Sequence, residues 1–299
     1  MEQAHFLIQV QFKFMNIMNN RKALRTRMSS AVFIFLAILF LSCNSQTSQL
    51  SIITGTTISD RFNTPDGFIR LPENGYSFST FLSTFPLKKA GTKVYLYNGN
   101  EKNRQDVHEA VLDIDVGTKD LQQCADAVMR LRAEYLYSTK QYEKLHFNFT
   151  NGFNAEFAKW VKGYRIKIKG NKTTWYLATK PSDSKEVFKA YLEIVFSYAG
   201  TLSLSKELNK KSIGDIQAGD VFIKGGSPGH AVIVMDVAMN VKGTERVFCI
   251  AQSYMPAQNI HVLKNPNNAK LSPWYNLKEG ETLETPEWDF PTGSLYAFE

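Results

Sequence analysis

The chain has few of the residues from which metal sites and membrane spans are built. Its 299 residues include three cysteines and five histidines, and no Cys-x-x-Cys or His-x-His spacing occurs. Such spacings are typical of zinc-binding proteins, so we expect no metal and no other cofactor. The most apolar stretch, Ala31 to Leu41, has eleven residues. A helix that crosses a bilayer needs about 20, so this stretch is too short to span.

A concentrated charge of one sign is also missing. The formal net charge is +7, from 35 basic and 28 acidic residues. Five of the basic residues and one acidic residue precede Cys43, so the remaining chain holds 30 and 27, a net charge of +3. Positive and negative residues are interspersed along the chain, whereas nucleic-acid binding needs a clustered basic surface. The sequence therefore predicts no nucleic-acid partner.

The N-terminus has the layout of an export signal. Basic residues between positions 13 and 27 precede the apolar run, which ends at Leu41-Ser42-Cys43. A signal peptide has this order and an apolar core of about 7–15 residues, and lipoprotein signal peptides are cut just before a cysteine that then carries the lipid. We therefore predict a signal peptide at 1–42, lipidation at Cys43 and a polar tether at 43–60. The protein would be a lipoprotein of the cell envelope, anchored in a membrane and facing the periplasm or the exterior. An ordinary signal peptide or an uncleaved anchor, with Cys43 incidental, is the alternative.

Residues 61–299 are predicted to form one globular domain of the α+β class. Pro-, Gly- or Ser-rich breaks and internal repeats are missing from this stretch. Amphipathic helical patterns dominate the first part, for example Leu121, Cys124, Val128, Leu131 and Tyr135 on one face, with Thr118 or Asp120 as N-cap. Apolar and β-branched runs dominate the last third. Helices followed by strands favour helices packed on one side of an antiparallel sheet.

Three residues could supply the chemistry of a cysteine hydrolase. Such an enzyme needs a thiolate, a histidine that takes and returns its proton, and a polar group that orients the imidazole. Cys124 lies near the start of a predicted helix, where free amides and the helix dipole favour a thiolate. His230 follows a glycine-rich turn and opens a strand, and Gln252 lies on the next strand. Two features oppose this role: Cys124 could lie a full turn inside the helix, and Asp126 would place a negative charge near the thiol.

The sequence resembles two families, and only the first of these resemblances implies an activity. The segments 219–223 (GDVFI) and 229–234 (GHAVIV) resemble the second half of the NlpC/P60 and CHAP cysteine peptidases and amidases. This resemblance implies a papain-like core with strands in 215–265, preceded by an N-terminal extension, with Cys124 as nucleophile, His230 as base and Gln252 as orienting group. The whole chain after the predicted signal peptide, over roughly residues 60 to 290, resembles the domain of unknown function 4846, a family of envelope proteins from Bacteroidetes. The segments that carry this second match are 112–117 (LDIDVG), 122–132 (QQCADAVMRLR), 147–154 (FNFTNGFN) and 251–258 (AQSYMPAQ).

The substrate predicted from these features is an amide in cell-wall peptide or similar envelope material. Backbone amides near Gln123 and Cys124 would hold the oxyanion. The candidate substrate-binding residues are Gln123, Asn148, Asn151, Ser253 and Tyr254. A non-catalytic lipoprotein that binds glycan or peptide, with Tyr254 and Trp274 as contacts, is the rival hypothesis. A third hypothesis is a structural disulfide between Cys124 and Cys249.

Overall fold

A computed structural model describes residues 50–72 and 75–299. The predicted signal peptide and Cys43 lie outside these residues. The helices, in chain order, are α1 (Ile58–Arg61), α2 (Phe78–Ser83), α3 (Cys124–Ser138), α4 (Phe157–Val161), α5 (Lys185–Tyr198) and α6 (Thr201–Glu207). The strands are β1 (Phe68–Arg70), β2 (His108–Val111), β3 (His146–Asn148), β4 (Asn154–Glu156), β5 (Tyr164–Lys169), β6 (Lys172–Leu177), β7 (Asn209–Lys210), β8 (Val221–Lys224), β9 (His230–Asn240), β10 (Arg246–Gln252), β11 (His261–Leu263), β12 (Leu283–Glu284), β13 (Asp289–Phe290) and β14 (Leu295–Ala297).

An eight-stranded sheet forms the centre of the domain. Its order is β2-β11-β10-β9-β8-β14-β7, with β1 paired to the far end of β9, and each pair of neighbours is antiparallel. The central strand β9 is buried from His230 to Ala238. A strand buried on both faces reads as a continuous apolar run rather than as an alternating one, which explains why 231–235 is entirely apolar.

Different parts of the chain cover the two faces of this sheet. Alternate residues of β9, such as Ile233 and Met235, pack with α3 residues such as Val128 and Leu131 in one apolar cluster. The intervening residues, such as Val232 and Val234, pack in a second cluster with side chains of the C-terminal segment 275–295. The α+β class predicted from the sequence is confirmed. No helix in residues 50–72 and 75–299 combines the length and the apolar character needed to cross a membrane.

Helix α3 begins later than its sequence pattern predicts. Its N-cap is Gln123, whose backbone N–H donates to the carboxylate of Asp126 at 3.0 Å. Asp120, one of the two predicted caps, instead accepts hydrogen bonds from the Gln123 side chain at 3.1 Å and from the backbone of Ala257 at 2.7 Å. The predicted start at 118–120 is therefore wrong, and Cys124 is the first helical residue rather than one a full turn inside.

The predicted tether 43–60 is too long, because residues from Leu50 onward belong to the folded domain. The backbone N–H of Asn63 donates to Leu50 O, and that of Ile52 donates to Arg61 O. Ile58, in α1, is fully buried in the larger apolar cluster.

We expect Ile58→Ala to lower the free energy of unfolding by about 2–5 kcal/mol, the usual cost of such a cavity. Urea unfolding of the full chain measures this difference. The matched control is Ile53→Ala in the same segment, because the Ile53 side chain is 71% exposed and such surface changes stay within about 0.5 kcal/mol. Equal effects of the two substitutions would contradict the assignment of residues 50–60 to the folded domain.

Candidate active site

Cys124 is placed by the first turn of α3. Its side chain is largely buried, at 8% exposure, and its thiol is free. Burial raises the pKa of the Cys124 thiol, and the negative charge of Asp126 raises it further. The nearby backbone N–H groups of Ala125 and Ala231 act in the opposite direction. Since Ala231 directly follows His230, the thiol at the start of α3 lies close to the start of β9.

His230 is placed by a glycine-rich turn that joins β8 to β9. Lys224 pairs with His230 across the sheet, so the turn comprises residues 225–229. A Cβ atom on Gly229 would lie 2.4 Å from Gly226 O and 2.7 Å from Lys224 O, distances that no side chain tolerates. Thr201, the first residue of α6, donates from its hydroxyl to Gly226 O at 3.1 Å. The chain therefore needs glycine immediately before His230, and α6 helps to hold the turn.

Aromatic rings surround the imidazole of His230. Its ring centroid lies 4.9 Å from that of Tyr254, 5.3 Å from that of Trp288 and 5.8 Å from that of Phe290. Burial lowers the pKa of His230 to about 4; the hydrogen bond with Gln252 opposes this shift, and the positive charge of Lys102 adds to it. At neutral pH the imidazole is therefore uncharged. Together with the raised pKa of the thiol, this makes the resting site a neutral pair rather than an ion pair.

A chain of buried polar groups leads away from the histidine. His230 Nε2 lies 2.8 Å from Gln252 Oε1. The other end of that amide, Gln252 Nε2, donates to Glu287 Oε2 at 2.7 Å. Glu287 Oε1 in turn lies 2.7 Å from Lys102 Nζ, and both charged side chains are less than 10% exposed. Gln252 thus stands between the histidine and a buried ion pair.

One cavity brings Cys124 and His230 within reach of a ligand. Its volume is about 440 Å³, and the exposed residues Asp120 and Met255 belong to its wall, so it opens to solvent. Cys124 and His230 both line it, and Tyr254 and Trp288 provide aromatic surface. The complete lining is 120–121, 123–126, 196–197, 199–201, 226–230, 254–255 and 288. A peptide or sugar could therefore reach the thiol and the imidazole from one side.

Of the predicted binding residues, Gln123 and Tyr254 line this cavity and three others do not. Asn148 lies on β3, where its backbone N–H donates to Glu207 at 2.8 Å. Asn151 holds the β5–β6 hairpin by donating to Asn171 O and to Thr173 Oγ1. The Ser253 hydroxyl is fully buried and donates to Gln122 O at 2.8 Å, so it fastens the segment before α3 to the end of β10. The side chains of Asn151 and Ser253 thus stabilise a hairpin and a strand end, whereas Asn148 binds Glu207 through its backbone.

Two further predictions are wrong. Trp274, named as a contact of a binding module, is fully buried and donates from its ring nitrogen to Asn63 O at 2.8 Å. The disulfide between Cys124 and Cys249 does not form, because both thiols are free. Cys249 pairs with Asp236 within the sheet, and its side chain packs in the larger apolar cluster.

Sequence reasoning missed Lys102, Glu287 and Trp288. Lys102 and Glu287 are 185 residues apart, and each lies in a stretch without helical or strand periodicity. Trp288 follows Glu287 directly and belongs to no recognisable motif. No three His, Cys, Asp or Glu side chains among the described residues are grouped as a metal ion would require.

The chain matches the family described as domain of unknown function (4846) over residues 58–296. This range covers most of the sequence. The chain belongs to the domain of unknown function 4846 family. Every side chain of the cavity, and the Lys102–Glu287 pair, falls inside the part shared with that family. No curated protein and no solved structure matches the chain. The fit to the family also begins at Ile58, which agrees with the burial of that residue.

Proposed function

We propose that this protein is a cysteine hydrolase that cleaves amide bonds, with Cys124 as nucleophile and His230 as base. The observation that carries the proposal is that both residues line one solvent-open cavity, with the thiol near the amide of the residue after His230. A helix N-terminus facing a histidine strand is the arrangement implied by the resemblance to the NlpC/P60 enzymes. The papain-like core and this relationship are part of the proposal.

In the proposed reaction the proton of the Cys124 thiol passes to His230. The resulting thiolate attacks the carbonyl carbon of the amide, and the C–N bond breaks as the imidazolium returns the proton to the leaving amine. Water, deprotonated by the same imidazole, then hydrolyses the thioester and releases the acid. Of the two backbone amides predicted to hold the oxyanion, that of Gln123 is bound to Asp126. The amide of Cys124, at the first helical position, has no partner within its helix and is the better donor.

The proposed substrate is an amide in cell-wall peptide, and peptidoglycan stem peptides are the first candidate. This choice follows from the predicted export signal and from lipidation at Cys43, which would hold the domain in the cell envelope. The cavity volume suits a short segment of peptide rather than a folded protein. The bacterial origin and the membrane anchor belong to the same proposal.

A non-catalytic binding protein is the second candidate, and one observation favours it. The Cys124 thiol is 8% exposed and its pKa is raised, so the resting thiol is a weak nucleophile. The rings of Tyr254 and Trp288 line the cavity and could stack on a sugar or a peptide side chain without any chemistry.

The two candidates differ in the reactivity of Cys124 toward iodoacetamide. We expect the folded full chain to be alkylated at Cys124, with a rate that rises with pH beyond about 8.5, the pKa of a free thiol, because burial holds the proton on sulfur to higher pH. A preformed thiolate–imidazolium pair would instead give a pH-independent rate between pH 6 and 8. Mass spectrometry of peptides after labelling at several pH values measures this.

Cys249, with 0% exposure, is the internal control and should be labelled only in urea. A Cys124 thiol that never reacts in the folded chain, at any pH up to 10, would refute the hydrolase and leave the binding protein.

A further inference from the structure

Glu287, in its buried ion pair with Lys102, determines the orientation of the side-chain amide of Gln252. A carboxylate can only accept hydrogen bonds, so the side chain of Gln252 must turn its NH₂ group toward Glu287. The distance of 2.7 Å between Gln252 Nε2 and Glu287 Oε2 fits this orientation. The amide oxygen of Gln252 then faces His230, and it too can only accept.

The side-chain oxygen of Gln252 lies 2.8 Å from His230 Nε2. Because this oxygen can only accept, Nε2 must carry the hydrogen and donate it. The imidazole is uncharged at neutral pH, because burial lowers its pKa to about 4. An uncharged imidazole has one N–H and one lone pair. With the hydrogen on Nε2, the lone pair is on Nδ1, which is the nitrogen that would accept a proton from a thiol.

This direction of hydrogen bonding holds only while Glu287 is ionised. A protonated Glu287 could donate to Gln252, turn its amide around and leave the hydrogen of His230 on Nδ1. Lys102 prevents this, since its ammonium lies 2.7 Å from Glu287 Oε1 and is itself 8% exposed. A neutral acid in that place would leave a buried cation without its partner, which is strongly unfavourable.

We infer that Glu287 and Lys102 are positioning residues that hold His230 in the Nε2–H tautomer by way of Gln252. The inference concerns the tautomer alone, and its use in catalysis rests on the proposed function. In the hydrolase, the tautomer with the hydrogen on Nδ1 has no lone pair for the thiol proton. Glu287 thus acts on the reaction without touching substrate.

Nitrogen NMR of the full chain labelled with ¹⁵N-histidine tests the inference directly. In the wild-type protein at pH 7 we expect His230 to show a protonated-type Nε2 and a lone-pair-type Nδ1, assigned by the loss of these signals in His230→Gln. In Glu287→Gln the new amide can either donate to Gln252 or accept from it, so we expect the single tautomer to be lost in favour of a mixture. Glu284→Gln, an acid on the nearby strand β12, is the matched control and should leave the spectrum of His230 unchanged.

A wild-type His230 with its hydrogen on Nδ1 would overturn the inference, whatever the variants do. A Glu287→Gln protein that is folded and keeps the pure Nε2–H tautomer would overturn it as well. If Glu287→Gln does not fold, Lys102→Met/Glu287→Gln removes both buried charges and should show the same mixture of tautomers.

Activity separates this inference from the proposed function. An Nε2–H tautomer in a protein that hydrolyses no amide would support the role of Glu287 and refute the hydrolase. In an active enzyme, Glu287→Gln should lower kcat with little change in KM, because only the base is disturbed.

Discussion

Cys124→Ala should abolish hydrolysis of peptidoglycan stem-peptide amides, with a loss on the order of 10⁴-fold or more, as expected when a nucleophile is removed. The physical reason is that Cys124 supplies the thiol on which the acyl intermediate of the proposed reaction forms. The measurement is the release of soluble peptides from purified peptidoglycan, followed by mass spectrometry. Cys249→Ala is the matched control, because it removes the second thiol from a strand at the centre of the sheet, away from the cavity.

We expect Cys249→Ala to retain activity, apart from a loss that follows its stability. A Cys124→Ala protein that releases peptides at the wild-type rate would refute the proposed mechanism. Removal of the thiol preserves the cavity walls, so Cys124→Ala should still bind the uncleaved peptide.

Lys102→Met should lower the free energy of unfolding by about 3–5 kcal/mol, because it leaves the buried carboxylate of Glu287 without its cation. Urea unfolding of the full chain at pH 7 measures the loss. Methionine keeps most of the volume of the lysine stem, so the cost arises from the unpaired charge rather than from a cavity.

The double variant Lys102→Met/Glu287→Gln tests this reason, since it removes both charges and should recover most of the lost stability. A loss as large in the double variant as in the single one would show that packing, not the ion pair, accounts for the effect. Lys93→Met is the surface control. Its ion pair with Glu101 is about half exposed on both sides, and such pairs contribute about 0–1 kcal/mol.

Short sequence patterns were sufficient to predict the helices and hairpins whose turns and caps lie within the same segment. Alternating runs at 164–169 and 173–177 on either side of Gly170-Asn171 predict a hairpin, and the amphipathic pattern of 184–198 predicts a helix. The hairpin of β5 and β6 and the helix α5, whose N-cap Ser184 accepts from Val187 N, agree with these patterns within one or two residues. The alternation of apolar and polar residues over 93–97 predicts a strand, but no strand forms there, because Tyr95 and Leu96 each make only a single bridge, to Glu101 and to Gln258. The alternating apolar side chains of residues 93–97 pack as part of an irregular segment.

The site could be predicted only in its local part. The sequence pointed to Cys124, His230 and Gln252 because a helix start, a glycine-rich turn and a following strand are recognisable within short windows. Glu287 and Lys102 meet through the tertiary fold alone, and no spacing relates them. Asn148, Asn151 and Ser253 lie outside the cavity. Sequence patterns do not separate polar side chains that satisfy backbone groups from those that bind ligands, because both have the same composition.

The segment that covers the second face of the sheet also completes the cavity. Trp288 lies against the histidine, and Glu287 belongs to the polar chain behind it, whereas the thiol is contributed by the middle of the sequence. A chain that lacked residues 287 and 288 would keep Cys124 and His230 but lose two side chains that lie around the imidazole or behind it. The orientation of His230 therefore depends on a distant segment of the same chain, and a variant shortened before residue 287 would leave the imidazole without that support.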